Sequence, residues 1–457
     1  MRILLFTFVL TSTLAAQIRM PAFQRVSLEN GATLTLMPKK DLPLASLRVS
    51  LRGGAEADPA GLEGLASITT AMLSRGTALR SRDQLAEDLD QFGLNLQTRV
   101  TRQATSLELQ FLAKDSAQVL ALLEEMLLKP SFAEAELKTL LAQRVDAVKV
   151  AKDQPQVALR EYFPSFYFGK QHPYGRSLNG DDLSLPKITR AAVEQFWKRN
   201  FVGRNLVIVA AGDIDPKAME AQLRGVFGKL PAGDTFAPGN PPAPKRTEPR
   251  LLLVNLPGAT QTYFAIAQPG IDRTHPDRTK LDLVNTLFGG RFTSMLNDAL
   301  RVDSGLTYGA NSTVQLDRLP GTISIATFTK TESTEAAIDL ALKQLEKLQA
   351  TGINAEQLAS AKAYVKGEYP TRSLETIDQL AGMLTDFELY GLNRGEVDDL
   401  ISRIDAVTLE QANAAARNYY QTSGLVFVLI GDATKIRKTA EKYAKNIKVV
   451  QSSEPGY

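Results

Sequence analysis

One phrase is written twice in this chain. Asn-Leu-Val-Ile-Val-Ala-Ala-Gly-Asp at 205–213 is followed by an amphipathic stretch over 216–227. Gly-Leu-Val-Phe-Val-Leu-Ile-Gly-Asp at 424–432 is followed by another over 435–445. An apolar β-branched run that stops at Gly-Asp and then turns helical predicts a buried strand and a capped helix. A helical pattern precedes each copy, at 191–198 and 409–419. Between the copies lie Pro231, Pro238, Pro241, Pro242, Pro244 and Pro249, with Gly233 and Gly239 among them. Proline removes amide donors and biases its predecessor away from helix, so this stretch reads as a linker. The expectation is two homologous α+β domains, 17–230 and 250–450, joined by a Pro-rich linker over 231–249. A length of 457 residues agrees, being too much for one core.

Within each copy the pattern places strands first and long helices after. The first half predicts a hairpin over 25–37 around Asn30-Gly31, a strand at 44–51 and helices at 81–92, 117–128 and 133–152. The second predicts strands at 250–255 and 260–267, with helices at 280–288, 294–302 and 334–348. Each domain is expected to be an antiparallel-rich sheet with helices on one face, the pair forming a half-shell.

Several function classes drop out on composition. Lys and Arg number 53 against 50 Asp and Glu, which gives no support to a nucleic-acid binder. There is no cysteine, so thiol nucleophiles, disulfides and thiolate metal sites are excluded. The two histidines, His172 and His275, each precede a proline and lie in different halves. Both read as turn residues, so no nucleophile triad and no alternative metal site assembles around them. The amino terminus carries Arg2, an apolar run over 3–10 and small residues to Ala16, the pattern of a secretory signal peptide over 1–16. That run is too short to span a bilayer, and nothing later approaches a span. Export without cysteine fits a bacterial periplasm.

The segment Gly64-Leu65-Ala66-Ser67-Ile68-Thr69-Thr70-Ala71-Met72-Leu73-Ser74-Arg75-Gly76-Thr77 resembles the zinc-helix signature of the pitrilysin/insulinase metallopeptidases, which include the mitochondrial processing peptidases. The similarity continues through His172-Pro173-Tyr174-Gly175, Pro257-Gly258-Ala259-Thr260-Gln261, Leu287-Phe288-Gly289-Gly290, Arg301 and Gly305-Leu306-Thr307-Tyr308-Gly309. In catalytic members the frame encloses His-x-x-Glu-His. Here the family's first His falls on Ser67, its Glu base on Thr70 and its second His on Ala71. The third ligand, a Glu on the later helix, falls near Ala147 beside Asp146. Hydroxyls do not replace imidazoles at zinc, and a methyl has no lone pair. The resemblance therefore implies a degenerate chain with no metal, no cofactor and no catalytic residue of its own.

In divided peptidases of this family the degenerate chain keeps an Arg and a Tyr that reach bound peptide. Carried over, these are Arg301 and Tyr308, with an ion pair to Asp298 or Asp303 as the rival reading for Arg301. The implied function is a non-catalytic subunit that closes the chamber and binds extended peptide for a homologous HxxEH partner. The alternative is a structural or binding protein on the same fold with no role in hydrolysis. A third reading is a self-sufficient hydrolase with an unconventional metal site. Gly289-Gly290 reads as a helix C-cap in left-handed conformation.

Overall fold

The computed structural model describes residues 18–244 and 248–457; the signal peptide expected over 1–16 lies outside the described residues. The first half supplies β1 (Gln24–Ser27), β2 (Thr33–Pro38), β3 (Leu44–Arg52), β4 (Asn95–Val100), β5 (Ala104–Leu112) and β6 (Leu206–Gly212). The second supplies β7 (Arg250–Asn255), β8 (Gln261–Pro269), β9 (Ala310–Leu316), β10 (Pro320–Lys330), β11 (Val426–Gly431) and β12 (Asn446–Gln451). They form two six-stranded sheets, ordered β1-β2-β6-β3-β5-β4 and β12-β7-β11-β8-β10-β9.

Five strands of each sheet correspond one to one. In both, the repeated phrase is the strand that runs parallel to one neighbour and antiparallel to the other. Its closing glycine sits at the same register, Gly212 opposite Pro38 and Gly431 opposite Asn255. The helices that follow are capped as expected, though not by equivalent residues. Asp215 accepts from the Ala218 N–H and Asp432 from the Thr434 N–H.

A strand buried on both faces reads as an unbroken apolar run, and the reason for the repeated phrase lies there. Along β6, Leu206, Ile208 and Ala210 point into the first half's own helical core. Val207, Val209 and Ala211 point the other way, onto Leu380, Ala381, Leu384 and Phe387 of helix Ile377–Tyr390, which belongs to the second half. The second sheet repeats the arrangement in reverse. Val428 and Ile430 of β11 pack on Ala158, Leu159 and Tyr162 of helix Pro155–Phe168, which belongs to the first half. So each domain covers one face of its sheet with its own helices and receives one helix from its counterpart on the other.

Polar contacts close the joint around these helices. The buried Tyr174 hydroxyl accepts from Gln103 Nε2 at 2.7 Å and from the Leu319 N–H at 2.8 Å. Arg318 Nη2 reaches Glu56 at 2.9 Å, and Arg48 Nη2 reaches Asp378 at 2.9 Å. Among the described residues no helix is long and apolar enough to cross a membrane.

Candidate functional site

The signature segment folds as helix Leu65–Met72. Ile68 and Met72 point into the first core, fixing which face remains for Ser67, Thr70 and Ala71. Gly64 enters the helix at φ 92°, and a Cβ there would come within 2.7 Å of the Asn179 carbonyl carbon. The cap comes from upstream: Asp58 Oδ2 accepts from the Gly64 N–H at 2.8 Å and Oδ1 from the Ala66 N–H at 2.7 Å. Burial pushes the Asp58 carboxyl up to about 8, against the pull of those two donors.

The positions where metal chemistry would be held are occupied by small, internally satisfied groups. Ser67 Oγ donates to Asn179 Oδ1 at 2.9 Å. Thr70 Oγ1 donates back to the Ala66 carbonyl at 2.8 Å, the usual resting place of a mid-helix threonine. Asp146, the carboxylate nearest the expected third ligand, is exposed and paired with Lys149. Among the described residues no three His, Asp or Glu side chains converge as a metal site would require. These residues do not fit zinc: two hydroxyls and a methyl offer neither an imidazole nor a carboxylate.

Both histidines serve their turns. His172 Nδ1 accepts from the Tyr174 N–H at 3.0 Å, and its ring stacks on Phe168. His275 Nδ1 accepts from the Asp277 N–H at 3.1 Å. Burial, with Arg102, Arg176 and Arg318 nearby, lowers His172 to about 4.

The residues carried over from the second half, Arg301 and Tyr308, make separate ring contacts on loops joined through Asn297, and together these make an open platform. Tyr308 is 82% exposed and Phe292 65%. The Arg301 guanidinium lies over the Phe292 ring, 4.5 Å from its centroid. It forms no ion pair with Asp298 or Asp303 and no side-chain hydrogen bond among the described residues, so the rival reading fails and its N–H donors stay free. Tyr308 leans on Phe328 at 6.3 Å, and Phe328 stacks on Tyr263 at 4.9 Å, its cross-strand partner on β8.

The backbone beneath is locked. Asn297, itself buried, donates to the Phe292 carbonyl at 2.9 Å and accepts from the Ala310 N–H at 2.9 Å, clasping the two loops together. Thr327 Oγ1 donates to the Gly309 carbonyl at 2.8 Å. The sequence pointed to Arg301 and Tyr308 but not to Phe292, Asn297 or Phe328; an aromatic two residues after a glycine pair was the available signal.

Two local expectations change. Gly289-Gly290 is no left-handed cap: both glycines belong to a wide helical turn over Thr286–Gly290, and neither has positive φ. Glycine is needed at 289 because a Cβ would meet the Ser312 nitrogen at 2.5 Å. Arg301 sits in a similar wide turn, Asp298–Asp303, not in a regular helix. A cavity of about 940 Å³ between the halves is lined by Arg48, Arg99, Asp282 and Tyr364 among others. Arg48 is neutralised there by Glu108 and Asp378, and Arg273 by Asp386.

Sequence comparison agrees with this geometry. The family model described as "Insulinase (Peptidase family M16)" matches residues 36–182, and "Peptidase M16 inactive domain" matches residues 187–365. The chain belongs to peptidase family M16. It is 26% identical to an uncharacterised zinc protease of Mycobacterium tuberculosis over 377 residues, 82% of this chain and 85% of the relative. It is 21% identical to a Helicobacter pylori protein described as a non-peptidase homolog, YmxG, covering 86% and 90%. Among solved structures, a peptidase M16 inactive domain from Pseudomonas fluorescens superposes with a TM-score of 0.83 at 25% identity, covering 90% of this chain and 98% of that one. The first half of the periplasmic protease PqqL from Escherichia coli shares the fold, with a TM-score of 0.71 at 15% identity over 94% and 98% of the two chains.

Proposed function

We propose that this M16 chain is the non-catalytic subunit of a periplasmic zinc peptidase. It closes the chamber of a homologous HxxEH partner and holds an extended peptide there. The carrying observation is the helix Leu65–Met72, where Ser67 and Thr70 spend their hydroxyls on Asn179 and the Ala66 carbonyl and Ala71 has nothing to offer. A zinc-activated water needs three ligands and a base, so bond cleavage falls to another polypeptide. Arg301 supports the peptide-holding role: a planar fork of free donors on an exposed rim matches carbonyl and carboxylate oxygens.

The test is copurification from the native host with metal measured on each chain, followed by turnover assays of the reconstituted pair. Zinc is expected only on the partner. Arg301→Ala combined with Tyr308→Phe should lower turnover while leaving assembly intact. Unchanged turnover with intact assembly favours a scaffold with no role in hydrolysis. Zinc-dependent proteolysis by this chain alone overturns the reading.

A further inference from the structure

We infer that the Arg301 platform is selective, taking peptide segments in which an aromatic side chain adjoins an acidic one; this rests on the peptide-holding role proposed above. The aromatic half of the requirement comes from Phe292 and Tyr308, rings left bare on exposed loops, with the half-buried Phe328 beneath Tyr308. Such rings recognise another aromatic face or edge with a geometric preference beyond simple burial. The acidic half comes from charge. Arg301 is held by cation–π contact alone, with no carboxylate within ion-pairing range among the described residues, so a ligand carboxylate meets an unneutralised, bidentate donor.

Order separates this platform from ordinary exposed loops. Asn297 ties the Phe292 carbonyl to the start of β9, and Thr307 and Thr327 pin Gly309 beside Tyr308. The side chains are free while the backbone carrying them is fixed, which lowers the entropy lost when a ligand docks. Register marks the platform as a feature of the second half. By the shared pairing of the repeated strand, Tyr263 corresponds to Ser46, which is buried beside Asp378. The first half thus carries a small polar group where the second carries the foot of an aromatic ladder.

The experiment measures fluorescence anisotropy of three labelled, otherwise Gly-Ser decapeptides binding the full chain, with Glu-Phe, Gln-Phe or Glu-Ser at the centre. The Glu-Phe peptide should bind about tenfold tighter than either of the others. Phe292→Ser should erase the preference for Phe and keep that for Glu; Arg301→Gln should do the opposite. Both substitutions are on the surface, and the fluorescence of the lone Trp197 reports that the fold survives. If none of the peptides binds, the peptide-holding role itself falls, and this inference with it. Equal binding of all three, or indifference to Phe292→Ser, refutes the selectivity and leaves the role standing. If Phe292→Ser changes only the sedimentation of the chain, alone or with a copurified subunit, the platform is a subunit contact and the selectivity is wrong.

Discussion

Leu384 belongs to the second half by sequence but covers the outer face of the first half's sheet. It is fully buried on helix Ile377–Tyr390 against Val207, Val209 and Ala211. Leu384→Ala removes its branched end and leaves a cavity between a helix and a sheet that cannot easily close, at a cost of about 3 kcal/mol. With a urea dependence of ~4 kcal/mol/M for a chain of this size, the midpoint should fall by about 0.7 M. The reporter is built in: Trp197, the chain's one tryptophan, lies on helix Arg190–Asn200 of the first half and donates to the Leu127 carbonyl at 3.1 Å. Its fluorescence should follow a substitution made almost two hundred residues downstream. Leu345→Ala, in the second half's own core, is the control. If the two halves are locked together by exchanged helices, fluorescence and far-UV circular dichroism should move together for both variants. A Trp197 transition unmoved by Leu384→Ala, with a separate early loss of helical signal, would refute the reasoning.

Other consequences follow from single residues. Tyr174→Phe strands the Gln103 and Leu319 N–H donors in the joint and should cost about 1–3 kcal/mol, read by urea denaturation. Gly64→Ala forces a methyl toward Asn179 at a positive φ and should lower stability by about 2 kcal/mol or more. His172 is held neutral, at about 4 against an ordinary value near 6.5. The unfolded chain therefore takes up its proton first, so stability should fall as pH drops from 6.5 toward 4 and be unaffected by this group above that window. His172→Gln should flatten that part of the pH profile; an unchanged slope would assign the titration elsewhere.

Much of this molecule could be read without coordinates, because its strongest signals are local. Apolar runs ending in Gly-Asp mark β6 and β11, and Asn30-Gly31 marks the turn between β1 and β2. The loss of zinc chemistry also lies in plain letters at 67, 70 and 71. The exchanged helices were harder to read. Helix Pro155–Phe168 contains Pro164 and so reads as interrupted, while helix Ile377–Tyr390 follows another helix, Ala355–Ser373, that is itself interrupted in pattern by Pro370. An amphipathic stripe announces that a helix will be covered, not which sheet will cover it. The wide turns at 286–290 and 298–303 add a residue per turn without leaving the helical region, and a 3.6-residue pattern does not register that. The partner of Arg301 was ambiguous for a similar reason. Asp298 and Asp303 are close in sequence, whereas the ring it chose is nine positions back, on the other side of Ser294 and the turn it opens.

The proline-rich stretch carries little of the burden of keeping the two sheets side by side. Its described hydrogen bonds run mainly to Gly203, Arg204 and Asn205 of the first half, and to the second half through Arg318, which reaches the Gly239 carbonyl at 2.8 Å. Each duplicate wears a helix grown by its twin, so a protease nick near Gly239 should yield two fragments that migrate apart only once denatured. Neither fragment made alone should stay in solution, since it would present a bare apolar strand surface, but the two produced together should find one another and rebuild the whole.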